Sequence, residues 1–251
     1  MKIGTILTAC DLNPLYSDFI PNFVKAWNVL FPDADVIVVL IADELPESLK
    51  VYEKNIRLFK PIPNMLTAFQ SQCIRLIYPR LIERNEGVII TDMDMLPTNR
   101  SYYRDPIKDI SDDTFVTYRD VCLPTEIAMC YNIAVPGVWK GVFGDSTNED
   151  ILKSWYAGVY YDGKHGGWGW GTDQQILLKK FNEWNGPKVT LNDQITGYNR
   201  LDRIHPWVFE NRDILRSNIQ KGLYSDYHCL RPYSDYKDIN DFIVSCFQRE
   251  E

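Results

Sequence analysis

Gly87-Val88-Ile89-Ile90-Thr91-Asp92-Met93-Asp94-Met95-Leu96-Pro97 is a short run of aliphatic, largely β-branched residues that ends in two acids one residue apart. A run that is apolar on both faces, without alternation, predicts a buried strand of a parallel sheet. Asp92 and Asp94 then stand where the strand runs out. In open α/β sheets ligands collect beyond the carboxyl ends of strands. In an extended segment residues two apart point the same way, so both carboxylates are expected on one side. Two adjacent carboxylates resist ionising together, and a hard divalent cation, Mn²⁺ or Mg²⁺, bridging to a phosphate relieves that repulsion. The plain alternative is a pair of solvated turn residues.

Outward from this stretch, composition sets bounds. The chain has 251 residues, 45% apolar and 13% aromatic, with a net charge of -7. That is a globular composition, large enough for one α/β domain, and no linker is visible. There is no basic run, which argues against nucleic acid as a partner. The start, Met1-Lys2-Ile3-Gly4-Thr5-Ile6-Leu7-Thr8, does not read as a signal peptide, and no stretch approaches transmembrane length. Cys10, Cys73, Cys122, Cys130, Cys229 and Cys246 lack zinc or redox spacing. They read as reduced thiols of a cytoplasmic protein.

The first half alternates strand and helix. Lys2 to Leu7 reads as a strand. Ser17 is expected to cap a helix to about Phe31, with Phe19, Ile20, Phe23, Val24, Trp27 and Leu30 on one face and Pro21 in its first turn. Asp35 to Ile41 is a second strand, which completes a right-handed βαβ unit. Ile56 to Phe59 is a short third strand. Met65 to Ile82 reads as a helix interrupted near Pro79. The second half is less regular. Strands are expected at Thr114–Tyr118 and Ala128–Val135, and helices at Asn148–Ala157, from Thr172 (capping box with Gln175), at Asp213–Lys221 and from about Ile239 to Gln248. The glycine- and tryptophan-rich segment from Tyr160 to Gly171 reads as a loop that closes over a ligand.

Four features stand together: the polar loop Thr8-Ala9-Cys10-Asp11-Leu12-Asn13-Pro14-Leu15-Tyr16, the segment Arg75-Leu76-Ile77-Tyr78-Pro79-Arg80-Leu81 ahead of the D-x-D, the D-x-D itself, and Asp173-Gln174 opening a helix. With Tyr131-Asn132-Ile133-Ala134, this layout resembles the GT-A nucleotide-sugar glycosyltransferases, and most closely glycosyltransferase family 8, over roughly residues 1–180. The resemblance implies an α/β fold with a Rossmann-like, mostly parallel central sheet flanked by helices and an irregular acceptor-side C-terminal half. It implies one domain over 1–251, with a nucleotide-binding half to about residue 100 and a donor-sugar and acceptor half beyond. The implied activity is metal-dependent transfer of a sugar from a nucleoside-diphosphate sugar, UDP favoured, to a hydroxyl acceptor such as a glycan, with retention favoured over inversion.

The same resemblance implies roles. Thr8, Ala9, Asp11, Asn13 and Tyr16 would hold the nucleoside, and Arg75 the donor's sugar or phosphates. Asp92 would bind ribose or metal, Met93 would sit between the acids at the donor, and Asp94 would bind metal. Asn132 would touch the donor sugar, and Asp173 and Gln174 would act beside the anomeric carbon. His228 would be the third metal ligand, with His205 its rival and His165 on the loop a weaker one. Family 8 typically follows its histidine with glycine-x-x-lysine-proline-tryptophan. Here Arg231-Pro232-Tyr233 departs from that run, and Arg231 would replace the lysine at the phosphates. Two other readings compete: a haloacid-dehalogenase-type phosphatase with Asp92 as nucleophile and Asp94 as acid/base, and a non-catalytic nucleotide-sugar-binding protein on the same fold.

Overall fold

The computed structural model describes residues 1–204 and 211–247. Its frame is a seven-stranded sheet. In chain order the strands are β1 (Ile3–Asp11), β2 (Asp35–Ile41), β3 (Ile56–Phe59), β4 (Gly87–Ile90), β5 (Met95–Pro97), β6 (Phe115–Thr117), β7 (Asn132–Ala134), β8 (Lys188–Thr190), β9 (Arg200–Leu201) and β10 (Asp226–His228). The sheet order is β3-β2-β1-β4-β7-β6-β8. The first four strands are parallel, and β7 runs antiparallel to both of its neighbours. The sheet's centre is apolar on both faces because helices cover both. Ile6, Val36, Val38, Leu40 and Ile89 pack with the helices Ile20–Leu30 and Lys237–Ser245 on one side. Leu7, Val39, Ile41, Val88 and Ile90 pack with Thr67–Ile77, Pro136–Phe143 and Thr172–Glu183 on the other.

The expected βαβ start and mostly parallel sheet are present, with local differences. β1 runs on to Asp11, so the first polar loop hangs directly from the sheet. Ser17 caps nothing. Asn13 caps a short helix, Pro14–Ser17, and the long helix begins separately at Ile20 with Pro21 in its first turn. Pro79 ends the helix Thr67–Ile77 by a tighter 3-10 turn, as a residue without an N–H requires. The capping box at Thr172 does not form. Gly171 is the N-cap, and the Thr172 hydroxyl donates instead to the Gly169 carbonyl at 2.6 Å.

A second, small sheet has the order β5-β10-β9. β10 pairs antiparallel with β5, setting His228 opposite Met95, and parallel with β9, setting Tyr227 opposite Leu201. This register carries the C-terminal part of the chain to the end of β4. All six cysteines are unpaired thiols, five of them buried. Among the described residues no helix is long and apolar enough to cross a membrane.

Candidate functional site

A cavity of about 250 Å³ opens beyond the carboxyl ends of β1 and β4. Ala9, Asp11, Asn13 and Tyr16 line one wall. Asp11 is fixed there by its own turn, since Oδ1 accepts from the Asn13 N–H at 3.1 Å and Oδ2 from the Thr67 hydroxyl at 2.8 Å. The second contact pins the loop to the helix Thr67–Ile77.

Asp92, Met93 and Asp94 all line the cavity, but the two carboxylates do not act as a pair. β4 stops at Ile90, and residues 92–95 turn, with the Met95 N–H bonding to the Asp92 carbonyl at 3.2 Å. An extended segment would have aimed both side chains together; the turn sends them to different partners. Asp92 meets Arg75 Nη1. Arg75 Nη2 lies 2.9 Å from Asp173 Oδ2, at the start of the helix Thr172–Glu183. Arg75 therefore ties two acids from distant elements. Burial opposes its charge, yet Asp92 and Asp173 together raise its pKa above the ordinary value. Burial pushes the Asp173 carboxyl up to about 6, against the pull of Arg75 and with added repulsion from Asp92. Arg75 is itself buried.

Asp94 faces a cluster of cations. Its Oδ2 lies 3.2 Å from Arg203 Nη2, 3.3 Å from Arg231 Nη1 and 3.7 Å from His228 Nε2. Burial would raise its pKa, but the neighbouring His228, Arg231 and Arg203 hold it well below the usual carboxylate range. The β5–β10 register accounts for the meeting. His228 stands opposite Met95, and the Cys229 N–H bonds the Asp94 carbonyl at 2.9 Å. Asp202, just past β9, sits 3.3 Å from His228 Nδ1, which turns Nε2 toward Asp94.

These contacts test the expected metal ligands. Asp94 and His228, with Asp202 behind the imidazole, fit two adjacent positions around a hard divalent ion, and a carboxylate behind a ligating histidine is the usual support for one. Asp92, expected to reach ribose or the metal, is engaged by Arg75. Among the described residues no three acidic, histidine or cysteine side chains converge on one point. Arg203 Nη2 contacts His228 Nε2 and stands in the same space.

The glycine-tryptophan loop covers the cavity. Gln72, on the helix Thr67–Ile77, donates to the Trp170 carbonyl at 3.0 Å and accepts from the Tyr161 hydroxyl. Gly169 takes φ +77°, and a Cβ there would come within 2.4 Å of the Tyr160 carbonyl oxygen; the tight return of this loop requires glycine. His165 is held between the Tyr16 hydroxyl at Nδ1 and Arg231 at Nε2, both at 3.2 Å. Burial and the nearby arginines lower its pKa. Gln174 also lines the cavity beside Asp173.

Two expected contacts do not line it. Thr8 is fully buried, and its hydroxyl donates to the Thr91 carbonyl at 2.9 Å, tying β1 to the end of β4. Asn132 is fully buried in β7, where it pairs with β4, and its amide donates to the Ala128 and Met129 carbonyls at 2.9 Å each. Both side chains donate to neighbouring backbone instead of facing the cavity, and Asn132 Oδ1 is buried without a hydrogen-bond partner among the described residues. His205 lies outside the described residues. Sequence reading missed Arg203, Asp202 and Gln72, which have no local motif. Only the β9–β10 pairing and the helix phase of Gln72 bring them in.

The architecture is that of the GT-A glycosyltransferase fold. No protein-family model and no curated protein matches the chain by sequence. Among solved structures it is similar to the glycosyltransferase GlyE of Streptococcus pneumoniae TIGR4, with a TM-score of 0.50 and 13% identity over 100% of this chain. The apo form of GlyE gives a TM-score of 0.51 at the same 13% identity over 97% of this chain. The chain spans about 61% of the length of GlyE in the first comparison and 62% in the second. It is similar as well to the galactosyltransferase LgtC, in a complex with donor and acceptor sugar analogues, with a TM-score of 0.50 and 13% identity over 98% of each chain.

Proposed function

We propose that the protein is a glycosyltransferase that moves a sugar from a nucleoside-diphosphate sugar, UDP favoured, to a hydroxyl acceptor such as a glycan. One observation carries the reading: a single cavity beyond β1 and β4 gathers Asp11, Arg75, Asp92, Asp94, Asp173 and Arg231 under a glycine-tryptophan loop. The GT-A fold supports it, because in such sheets nucleotides bind at the carboxyl ends of the strands. LgtC, of the same fold, is a galactosyltransferase in a complex with donor and acceptor sugar analogues.

In this reading Asp11, Asn13 and Tyr16 take the nucleoside, with Ala9 and Met93 as backbone and apolar walls. Asp94 and His228 would hold a Mn²⁺ or Mg²⁺ ion, with Asp92 reaching ribose or the ion. Such an ion, when bound, acts as a Lewis acid on the departing diphosphate. Arg231 adds a guanidinium against the same developing charge. Arg75 fixes Asp173 beside the donor sugar, and Gln174 extends an amide alongside. With Asp173 paired to Arg75, its role is to position the donor, which favours retention over deprotonation of the acceptor. The loop from Tyr160 to Gly171 excludes water that would hydrolyse the donor. We also propose that residues 1–251 work as one domain, with the cavity shared between its nucleotide-binding and acceptor halves.

The phosphatase reading needs the Asp92 carboxylate poised for in-line attack, whereas Arg75 holds it. The discriminating experiment is thermal stabilisation by a panel of nucleoside diphosphates, with Mn²⁺ and again with EDTA, since a ligand of the folded state raises the melting temperature by mass action. A selective rise with one nucleotide is expected, followed by turnover of its sugar conjugate. No rise with any nucleotide would overturn the reading. Binding without turnover across sugar donors and acceptors would leave a nucleotide-sugar-binding protein.

A further inference from the structure

Among the described residues three guanidiniums line the cavity, and they are not equivalent. Arg75 is held at both ends, Nη1 on Asp92 and Nη2 on Asp173. Arg203 and Arg231 instead converge on one oxygen, Asp94 Oδ2, at 3.2 and 3.3 Å. Among the described residues, Asp94 is the only carboxylate within ion-pair distance of either.

One oxygen between two guanidiniums satisfies neither. A guanidinium offers five N–H donors in a planar fork, and charge-assisted N–H···O bonds normally close to about 2.7–2.9 Å. Among the described residues Arg203 has two other partners, neither of them an anion. Nη1 reaches the Cys229 carbonyl at 3.4 Å, and Nη2 abuts His228 Nε2, a nitrogen that carries no negative charge. Arg231 lies with its guanidinium 5.2 Å from the Tyr16 ring centroid and turns Nη2 to His165. Both groups are thus steered to one place at the cavity wall, with more donors than the described residues supply acceptors. A diphosphate supplies several charged oxygens, and the arginine fork matches phosphate geometry bidentately.

We infer that Arg203 is a diphosphate-binding residue, forming with Arg231 a two-guanidinium clamp on the donor's diphosphate that works without a metal ion. The assignment rests on the glycosyltransferase reading and adds to it a residue two positions past β9. A second consequence comes from where Arg203 sits. It occupies the space between Asp94 and His228, so it opposes a divalent ion there while favouring the nucleotide. Removing it should move the two affinities in opposite directions. A merely structural residue would lower both.

The test is calorimetric titration of the full chain with UDP and with uridine, in EDTA, for wild type, Arg203→Ala and Arg203→Lys. Asp94 keeps Arg231 and His228 in the alanine variant, so the carboxylate is not left bare. In EDTA the wild type should bind UDP at least about ten-fold more tightly than uridine. Arg203→Ala should lose about ten-fold or more for UDP with uridine unchanged, and Arg203→Lys should recover part of that loss, since one ammonium cannot fork. Mn²⁺ alone, followed by electron paramagnetic resonance, should bind Arg203→Ala more tightly than wild type. UDP binding in EDTA that is equal in Arg203→Ala and wild type overturns the clamp, as does an equal loss for uridine. A parallel titration in Mn²⁺ separates the two claims. UDP bound only with Mn²⁺, and equally by both proteins, sinks the clamp and leaves the glycosyltransferase reading standing. No UDP binding in either medium sinks both.

Discussion

Arg75 donates from Nη2 to Asp173 Oδ2 at 2.9 Å, with both side chains over nine-tenths hidden from solvent. The same guanidinium reaches Asp92 through Nη1. One cation thus joins the helix Thr67–Ile77, the turn after β4 and the start of the helix Thr172–Glu183. The cavity's shape depends on that junction. A buried charge pair adds little over an apolar replacement of the whole set, but removing one partner leaves a charge stranded.

Arg75→Met should therefore cost about 3–5 kcal/mol of stability, read as a fall in the urea midpoint with an unchanged slope. Arg75→Lys should recover only part, because a single ammonium cannot span both acids. A variant as stable as wild type would mean that Asp173 is neutral or reaches solvent.

Asp173 gives a pH signature. Its carboxyl titrates at about 6, above the ordinary 3.8, because burial and Asp92 outweigh Arg75. A raised value contributes stability that is fully present below the ordinary pKa and is lost as pH climbs through 6. Relative to Asp173→Asn, the wild type should lose on the order of 2–3 kcal/mol between about pH 4 and pH 6. The same variant should keep nucleotide binding and lose transfer. Wild-type transfer rates in it would reduce Asp173 to an anchor for Arg75.

Asp202 stands 3.3 Å from His228 Nδ1, which leads to a prediction about metal affinity. With UDP present, Asp94→Ala should abolish Mn²⁺-dependent nucleotide binding. His228→Ala should weaken Mn²⁺ binding, and Asp202→Asn should do so by roughly 10–100-fold, the usual effect of losing the group behind a ligating histidine. Mn²⁺ resonance titrations read all three. Loss in His205→Ala with none in His228→Ala would move the ligand to His205.

His165 holds the loop to Tyr16 and Arg231. His165→Ala should raise donor hydrolysis relative to transfer, measured as free against acceptor-bound sugar, and should speed proteolytic nicking between residues 158 and 171. An unchanged ratio would separate the loop from water exclusion.

Much of the fold was legible because its determinants are local. β2 and β3 span the residues their apolar runs predict, and the helix Asn148–Ala157 does too. The D-x-D just past β4 lines the cavity, because a strand buried on both faces leaves its acids only beyond its end. Local reasoning failed where two local solutions compete. Asn13 rather than Ser17 became a cap, and the backbone after Ile90 turned instead of extending.

The sequence by itself determined the parallel β1–β4 frame, the carboxylates at its edge and the glycine-rich segment that covers them, since periodicity, β-branching and glycine act within a few residues. Tertiary structure alone decided which charges meet. The register of β5, β10 and β9 set His228, Asp202 and Arg203 around Asp94. Packing of two helices on one sheet face put Arg75 between Asp92 and Asp173. Pairing between strands far apart in the chain leaves no periodic trace in either segment, so these meetings exist only once the chain has folded.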